Sequence, residues 1–385
     1  MITAKRIDSV KEYYFSKKLR EIATLNANNK DIINLGIGSP DMAPNQLIID
    51  ALVASAQEQQ NHSYQSYKGI PELRAAISDW YNTTYSVGLN PENEILPLLG
   101  SKEGIMHISM TYLNPGDEVL IPDPGYPTYT AATNLAGGKV VKYKLNEETD
   151  WHPSIENIKE LITAKTKLIW INYPNMPTGK QAQLELLKPL LALAKKHRIL
   201  VCNDNPYSLT LNDKPTSIFQ IEGAKEVALE LNSLSKSHSM AGWRLGWVSG
   251  SEQRINEILK FKSNMDSGMF LPVQHAAIAA LKLDKSCYDE TNKIYAKRRV
   301  LVWEMLDLLK CEYDSAQVGM FVWAKVPKTI KSASDLSDQL LYESNVFITP
   351  GLIFGKEGEN YVRISLCTNE DKLREAMSRI KKNIK

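Results

Sequence analysis

The sequence has little of what marks exported, membrane-spanning or nucleic-acid-binding proteins. Its four cysteines lie far apart in 385 residues and form no Cys-x-x-Cys pair, so a disulfide framework is not expected. The 46 lysines and arginines nearly balance the 44 aspartates and glutamates, and no block of five like charges occurs. No apolar run approaches the roughly 18 residues of a membrane span, and the first residues carry charges where a signal peptide is apolar. We therefore expect a cytoplasmic protein that binds neither nucleic acid nor a membrane.

Two glycine motifs that would indicate a nucleotide site are incomplete. Gly36-Ile-Gly38 begins like a dinucleotide fingerprint, but Asp41 stands in place of its third glycine. The stretch that begins at Gly351 has three residues, not four, between the glycines of a P-loop, and Glu357 replaces the hydroxyl residue that holds magnesium. The six histidines show no metal-ligand spacing. A Rossmann cofactor site, an NTPase and a metal centre are therefore not predicted.

The pattern of apolar residues predicts an α/β protein. From about residue 45 to 285, short β-rich runs alternate with helical patterns, as in a mostly parallel sheet sandwiched by helices. The predicted strands are EILPLL (94–99), EVLIP (118–122), KVVKY (139–143), KLIWIN (167–172), ILVCN (199–203), VALELN (227–232) and LGWVS (245–249). Between them, Pro71 to Tyr85 and Gln183 to His197 have apolar residues at helical spacing.

The remainder of the chain predicts a smaller α+β domain. Its predicted elements are helices at Lys11 to Leu25, Tyr288 to Leu309 and Glu370 to Lys382, and β-like runs at 319–326, 346–350 and 360–366. No repeat or flexible linker interrupts the chain. We therefore expect a large α/β domain of residues 45–285, with a small domain of residues 1–44 plus 286–385 packed closely against it.

Polar residues at the ends of predicted strands indicate a site for an aldehyde cofactor. Lys236 follows the strand VALELN among small hydroxyl residues, which places it at the carboxyl edge of the sheet. A lysine that holds such a cofactor as a Schiff base needs an acid for a ring nitrogen, a donor for a ring oxygen and an anchor for a phosphate. Asp204 and Tyr207 follow another strand and are candidates for the two ring contacts. Asn175, in a turn fixed by two prolines, is a second polar contact.

The phosphate anchor has candidates in two segments. Gly100-Ser101-Lys102 lies between a strand and a helix, so its main-chain N–H groups form an anion site. The segment around the lysine offers further donors, namely Ser233, Ser235 and Arg244. The arginine of this group can bind a phosphate through two parallel N–H bonds.

These candidates occur within eight blocks that resemble one family, from roughly residue 30 to the end. The blocks are NLGIGSPD, YQSYKGIPELR, LLGSKEG, PDPGYPTY, NYPNMPTG, NDNPY, SLSKSHSMAGWRLGW and ENYVRIS. In sequence and spacing they resemble the fold-type I pyridoxal-5′-phosphate (PLP) aminotransferases of class I/II. The resemblance implies PLP as cofactor, a homodimer with active sites at the subunit interface, and ping-pong transfer of an amino group from an L-amino acid to a 2-oxo acid.

The resemblance also implies individual roles. Lys236 is the Schiff-base lysine and proton shuttle, Asp204 contacts the pyridine nitrogen, and Tyr207 contacts the ring hydroxyl. Asn175 joins Tyr207 there and also takes part in substrate binding. The implied phosphate and ring contacts are Gly100, Ser101, Lys102 through its main chain, Ser233, Ser235 and Arg244, with Tyr126 stacked on the ring and Tyr64 reaching in from the other subunit. For the substrate, Arg363 binds the α-carboxylate and Gly38 permits a close approach of the chain.

Other interpretations stay open at this point. The same scaffold serves carbon–sulfur β-lyases, because the lysine and the aspartate create a carbanion whose fate the surroundings decide. A non-catalytic PLP-binding regulator is a further alternative, although only about thirty residues precede the resemblance and such regulators carry a DNA-binding domain there. The amino donor is not predicted, since the candidate pocket residues Tyr13, Tyr14 and Phe15 are aromatic and no arginine is assigned to a distal carboxylate. Asn205, Met176 and His238 depart from the residues most common in the family, and their roles are not predicted.

Overall fold

The computed structural model describes residues 3–10 and 12–383. Lys11, which the predicted amino-terminal helix includes, and the terminal pairs 1–2 and 384–385 of the predicted small domain lie outside the described residues. Among the described helices, none is both long and apolar enough to cross a lipid bilayer.

The described residues form helices and strands in alternation. The helices are α1 (Lys5–Asp8), α2 (Tyr14–Ala27), α3 (Gln46–Ala56), α4 (Pro71–Tyr85), α5 (Ser101–Tyr112), α6 (Pro127–Leu135), α7 (Ile155–Leu161), α8 (Leu184–His197), α9 (Ala224–Val227), α10 (Leu234–Ser237), α11 (Glu252–Lys262), α12 (Leu271–Leu281), α13 (Lys285–Leu308), α14 (Ala333–Ser344) and α15 (Glu370–Asn383). The strands are β1 (Ile33–Asn34), β2 (Ile95–Leu98), β3 (Glu118–Asp123), β4 (Lys139–Lys144), β5 (Thr166–Ile171), β6 (Leu200–Asp204), β7 (Ala228–Ser233), β8 (Gly246–Ser249), β9 (Glu312–Tyr313), β10 (Phe321–Lys325), β11 (Val346–Phe347), β12 (Thr349–Pro350) and β13 (Tyr361–Ser365).

One seven-stranded sheet organises the large part of the molecule. Its strand order is β2-β8-β7-β6-β5-β3-β4. Only β8 runs against its neighbours, β2 and β7, and the other pairs are parallel. Each of the seven predicted strands is present within one residue of its predicted bounds. The predicted fold class, a mostly parallel α/β sheet with a smaller α+β part, is confirmed.

The sheet is buried on both faces, which explains why its strands are apolar almost throughout. On β5, Ile169 and Ile171 pack into one apolar cluster, while Leu168 and Trp170 pack into the other. Helices α4, α8 and α12 contribute to the first cluster, and α5, α6 and α11 contribute to the second. The carboxyl ends of the parallel strands therefore meet at one open edge between two helical layers.

A smaller antiparallel sheet forms from the carboxyl-terminal part of the chain. Its strand order is β12-β13-β10-β9, and its core includes residues of α13, α14 and α15. The short strand β1 runs parallel to β11, and Phe15 and Leu35 pack in the same core, so the amino-terminal segment lies with this part. The sequence did not predict the β1–β11 pair, because two residues are too short to show a period. The predicted domain boundaries stay a prediction.

Candidate active site

The carboxyl edge of the large sheet opens into a cavity of about 570 Å³. Its walls come from the ends of parallel strands, from the amino-terminal segment and from the small sheet. The predicted site residues that line it are Gly38, Ser101, Lys102, Tyr126, Asp204, Tyr207, Ser233, Ser235, Lys236, Arg244 and Arg363. The fold thus brings together residues that are up to 325 positions apart in the sequence.

Lys236 lies on α10, the single turn that follows β7. Its Nζ donates a hydrogen bond of 2.6 Å to the Gly38 carbonyl oxygen. Burial lowers the pKa of Lys236 to about 8, and the positive charges of Arg363 and Arg244 act in the same direction, against an opposing effect of the Cys367 thiol. A substantial fraction of the amine is therefore neutral near physiological pH, as attack on a carbonyl carbon requires.

Asp204 is the last residue of β6 and is 4% exposed. Its Oδ2 accepts a hydrogen bond of 2.9 Å from the Tyr129 hydroxyl, whereas its Oδ1 has no hydrogen-bond partner among the described residues. Burial raises the pKa of Asp204 to about 7, although the Tyr129 hydrogen bond lowers it. Because Asp204 lines the cavity, this unpartnered oxygen is a candidate to accept a hydrogen bond from a bound molecule.

Tyr129 on α6 is a site residue that sequence reasoning missed. Its ring stacks on Trp170 of β5, with centroids 4.9 Å apart and planes inclined by 7°. This stacking fixes the phenol against the Asp204 carboxylate. The signal in the sequence is its place in the block PDPGYPTY, in which the resemblance assigns a role to Tyr126.

The first turn of α5 and the segment after β7 form an anion site. The first N–H groups of a helix have no acceptor within the helix, and those of Ser101 and Lys102 stand at the cavity. Gly100 has φ +90°, and a side chain there would collide with the Arg244 guanidinium. A Cβ on Gly246 would come within 2.7 Å of the Ser101 nitrogen. The two glycines therefore allow the guanidinium and the free N–H groups to approach each other.

Two serines add donors to this anion site. The hydroxyl oxygens of Ser233 and Ser235 are 2.9 Å apart, and the Ser235 N–H donates to the Ser233 hydroxyl over 3.1 Å. Arg244 Nη1 donates to the Ala241 carbonyl at 2.8 Å, which leaves Nη2 beside Gly100. The arrangement can bind a dianionic group such as a phosphate through several donors at once.

Arg363 stands on β13, lines the cavity and is 4% exposed. Phenylalanine rings surround its guanidinium, with centroids 3.9 Å (Phe321), 4.7 Å (Phe354) and 5.5 Å (Phe15) from its central carbon. Burial lowers the pKa of Arg363 to about 10, so the group stays charged at neutral pH. A buried cation of this kind is a candidate to bind a carboxylate.

Three predicted residues do not line the cavity. Gly100 supports the anion site from behind, as described above. Asn175 is turned into its own loop, where its Nδ2 donates to the Asn172 carbonyl at 3.2 Å and its Oδ1 accepts from the Thr178 hydroxyl at 2.8 Å. Tyr64 is 90% exposed on the surface. The predicted roles of these residues stay predictions.

Several lining residues were not predicted. They are Ser16, Leu19, Ile37, Asn172, Met176, Pro206, Ala241, Phe321 and Phe354. Tyr13 and Phe15, which the sequence suggested for a side-chain pocket, also line the cavity. The unpredicted phenylalanines belong to the small-sheet region, and nothing in their local sequence indicates which neighbours they meet.

One cluster outside the cavity resembles a metal site. Glu103, His107 and Asp266 each offer a ligand atom, all within 4.8 Å of one another. The ammonium group of Lys262 already lies 2.8 Å from the Asp266 carboxylate and supplies the positive charge there. The absence of a metal stays a prediction.

Together these groups define the class of the protein. A partly neutral lysine, a buried carboxylate with one unpartnered oxygen, a helix terminus with free N–H groups and a buried arginine suit an enzyme that holds a phosphorylated pyridine aldehyde. PLP is such a molecule: its ring nitrogen fits the unpartnered Oδ1 of Asp204, and its phosphate fits the first turn of α5.

Comparison with known proteins identifies the family. Residues 30–380 match the model of the aminotransferase class I and II family, and the chain belongs to that family. An LL-diaminopimelate aminotransferase from Dehalococcoides mccartyi is 38% identical over 382 residues, which are 99% of this chain and 98% of the relative. The protein is a PLP-dependent aminotransferase that acts on amino acid and 2-oxo acid substrates.

Solved structures agree with this assignment. Substrate-bound BacF from Bacillus subtilis superposes with a TM-score of 0.95 and 34% identity, over 99% of this chain and 98% of that one. An aspartate aminotransferase from Thermus thermophilus with maleate gives a TM-score of 0.92 at 26% identity, over the full length of both chains.

Proposed function

We propose that the enzyme binds PLP between Lys236 and Asp204 and transfers the amino group of LL-diaminopimelate, or of a close analogue with a second charged end, to a 2-oxo acid. The relationship to an LL-diaminopimelate aminotransferase over nearly the whole of both chains carries this proposal. Two cationic residues that line the cavity, Arg363 and Lys102, support it.

The cofactor contacts follow from the groups in the cavity. Lys236 would hold PLP covalently, Asp204 Oδ1 would accept a hydrogen bond from the protonated ring nitrogen, and the α5 terminus with Arg244 would hold the phosphate. PLP supplies an electron-withdrawing ring that stabilises negative charge on the substrate α-carbon. The cation at the ring nitrogen would keep Asp204 ionised despite its burial.

Lys236 would also move the proton. Once the substrate amine has displaced it from the cofactor, the free Nζ of Lys236 would accept a proton from the substrate α-carbon and release it again. A pKa of about 8 for the free amine would keep the cost of both transfers low near neutral pH. Its hydrogen bond to Gly38 keeps the amine in the cavity. A Lys236→Ala variant should therefore lose turnover while keeping its fold.

Arg363 would bind the α-carboxylate of the substrate. Its Nε has no hydrogen-bond partner among the described residues, and the three phenylalanine rings exclude water from the faces of the guanidinium. The ion pair would therefore form in a region of low dielectric, where a bidentate contact fixes the orientation of the amino acid.

Lys102 is a candidate to attract the second carboxylate of the substrate. Its side chain lines the cavity, and its Nζ lies 4.9 Å from the centre of the Tyr13 ring. Burial and the charge of Arg244 lower the pKa of Lys102, so an added negative charge nearby would be favourable. The sequence predicted only a main-chain role for this residue.

An absorption experiment tests the proposed substrate. PLP-loaded protein is mixed singly with LL-diaminopimelate, its meso isomer, L-lysine, L-aspartate and L-alanine, and the visible band of the cofactor is followed. We expect LL-diaminopimelate to bleach the band at the lowest concentration and a 2-oxo acid to restore it. A Lys102→Met variant should lose affinity for LL-diaminopimelate more than for L-alanine. Equal losses for both would contradict the role of Lys102, and a preference for another donor would contradict the substrate.

We also propose a homodimer in which Tyr64 completes the site of the other subunit. The loop that carries Tyr64 packs on the segment before α12, with the His62 and Phe270 rings 5.8 Å apart. Large apolar side chains are exposed here, namely Tyr64, Tyr67, Leu99, Met265 and Phe270. Exposed apolar side chains of this kind favour a protein partner.

Subunit mixing tests the dimer. Lys236→Ala and Tyr64→Ala variants are unfolded together, refolded as a mixture and assayed. In a mixed dimer the Lys236→Ala subunit supplies Tyr64 to the intact lysine of its partner, so activity should exceed that of either variant alone. An unchanged activity, in a mixture shown by mass measurement to contain hybrids, would contradict the shared site.

A further inference from the structure

We propose that Met176 is a specificity-determining residue whose thioether sulfur occupies Arg363 until the substrate carboxylate displaces it. The inference rests on the proposed role of Arg363 in binding the substrate. It adds that the Met176 sulfur competes with the substrate carboxylate for Arg363 and thereby sets the affinity of the enzyme for carboxylates.

The position of Met176 is fixed by the strand before it. Its main-chain N–H donates a hydrogen bond of 2.8 Å to Oδ1 of Asn172, the residue that follows β5. The side chain is 4% exposed and lines the cavity. Its Sδ lies 3.2 Å from Nη1 of Arg363. The hydrogen bond of its main chain therefore keeps the Met176 sulfur in contact with the Arg363 guanidinium.

The guanidinium has few other acceptors. Its Nη2 donates to the Gly36 carbonyl at 2.7 Å, and its Nε has no hydrogen-bond partner among the described residues. An arginine carries five N–H donors, and a thioether is a weak acceptor. Because phenylalanine rings cover its faces, the guanidinium can receive an anion only along its edge.

This arrangement makes the sulfur replaceable. Without Met176, Nη1 of Arg363 would be a buried donor without a partner, which is costly. A carboxylate is a far stronger acceptor for a cation than a neutral sulfur, so the substrate gains more at Nη1 than the enzyme loses. An acceptor at position 176 that is stronger than a thioether but weaker than a carboxylate would compete more effectively with the substrate for Arg363 and would weaken substrate binding.

Two substitutions with opposite expected effects test the proposal. Met176→Leu keeps the volume and removes the acceptor, and Met176→Gln introduces an amide oxygen. The dissociation constant of pimelate, a dicarboxylate that cannot react, is measured by calorimetry on the PLP-loaded proteins. We expect binding about two- to fivefold tighter for Met176→Leu and about tenfold weaker for Met176→Gln, since hydrogen bonds to charged groups differ by such factors. Parallel changes should occur in the KM of the amino donor rather than in kcat.

Matched variants separate the outcomes. Met377→Leu makes the same chemical change on α15 outside the cavity and should leave the dissociation constant unchanged. If Met176→Leu and Met176→Gln weaken pimelate binding alike, or if Met176→Leu has no effect, Met176 only fills space and the proposal is overturned. If Arg363→Gln binds pimelate as well as the unsubstituted enzyme, the proposed carboxylate site is wrong instead. Melting temperatures establish that each variant is folded.

Discussion

Replacing Asp204 by asparagine should stabilise the cofactor-free protein while it impairs the holoenzyme. The carboxylate lies in the sheet edge with one oxygen unpartnered, and its burial raises its pKa from 3.8 to about 7. A pKa that is higher in the folded than in the unfolded chain means that ionisation opposes folding. The destabilisation by ionised Asp204 is absent below about pH 4, grows as the pH rises and reaches its full size above about pH 7. The difference between the two pKa values corresponds to a loss of at most about 4 kcal/mol in the free energy of unfolding.

The measurement is the melting temperature of PLP-free Asp204→Asn and of the PLP-free unsubstituted protein, each at pH 4.5 and pH 8.5. We expect the variant to melt several degrees higher at pH 8.5 and the difference to shrink towards zero at pH 4.5. Adding PLP at pH 8.5 should reverse the order, because the charged carboxylate forms an ion-paired hydrogen bond with the protonated ring nitrogen and the neutral amide of asparagine does not. A difference in melting temperature that is the same at both pH values would refute the reasoning.

Two further predictions concern neighbouring groups. Since about a tenth of Lys236 is neutral at pH 7 and about nine tenths at pH 9, the rate of PLP capture by the cofactor-free protein, followed by its visible absorption, should rise about tenfold between these values; a flat profile would show that the amine is not limiting. Tyr129→Phe removes the hydrogen bond that Asp204 Oδ2 accepts and should weaken PLP binding about 10- to 100-fold in an equilibrium titration, because hydrogen bonds to charged groups contribute about 1.5–3 kcal/mol. Tyr143→Phe, which removes a buried hydrogen bond of 2.8 Å to the Trp170 carbonyl outside the cavity, is its control and should bind PLP normally.

The large sheet and the chemistry at its edge could be predicted because both leave local signals. A strand buried on two faces is apolar throughout, and a polar residue directly after it must lie at the carboxyl edge, as Lys236 and Asp204 do. Family resemblance added Arg363, whose place on β13 has no such signal.

The surroundings of these residues could not be predicted, since they depend on contacts between distant segments. Phe15, Phe321 and Phe354 are apolar residues of ordinary sequence, and only the folded chain places them around one guanidinium. Asn175 has the residue type expected for a ring contact, but the orientation of its amide depends on hydrogen bonds within a turn fixed by prolines. The partnership of Tyr129 with Asp204 joins residues 75 positions apart.

The pairing of β1 with β11 makes the amino-terminal segment an exchangeable module. Hydrogen bonds tie Leu35 to β11 and to Ser365, so the segment is attached to the small sheet, and Gly38 at its end also accepts the hydrogen bond of Lys236. It nevertheless supplies Tyr13, Phe15 and Gly38 to the cavity wall. Chimeras that exchange residues 12–38 between relatives would therefore alter which amino acid is accepted while they inherit the same proton-transfer machinery. Natural substitutions in this short stretch of chain can likewise change the substrate during evolution without altering the residues that transfer the proton.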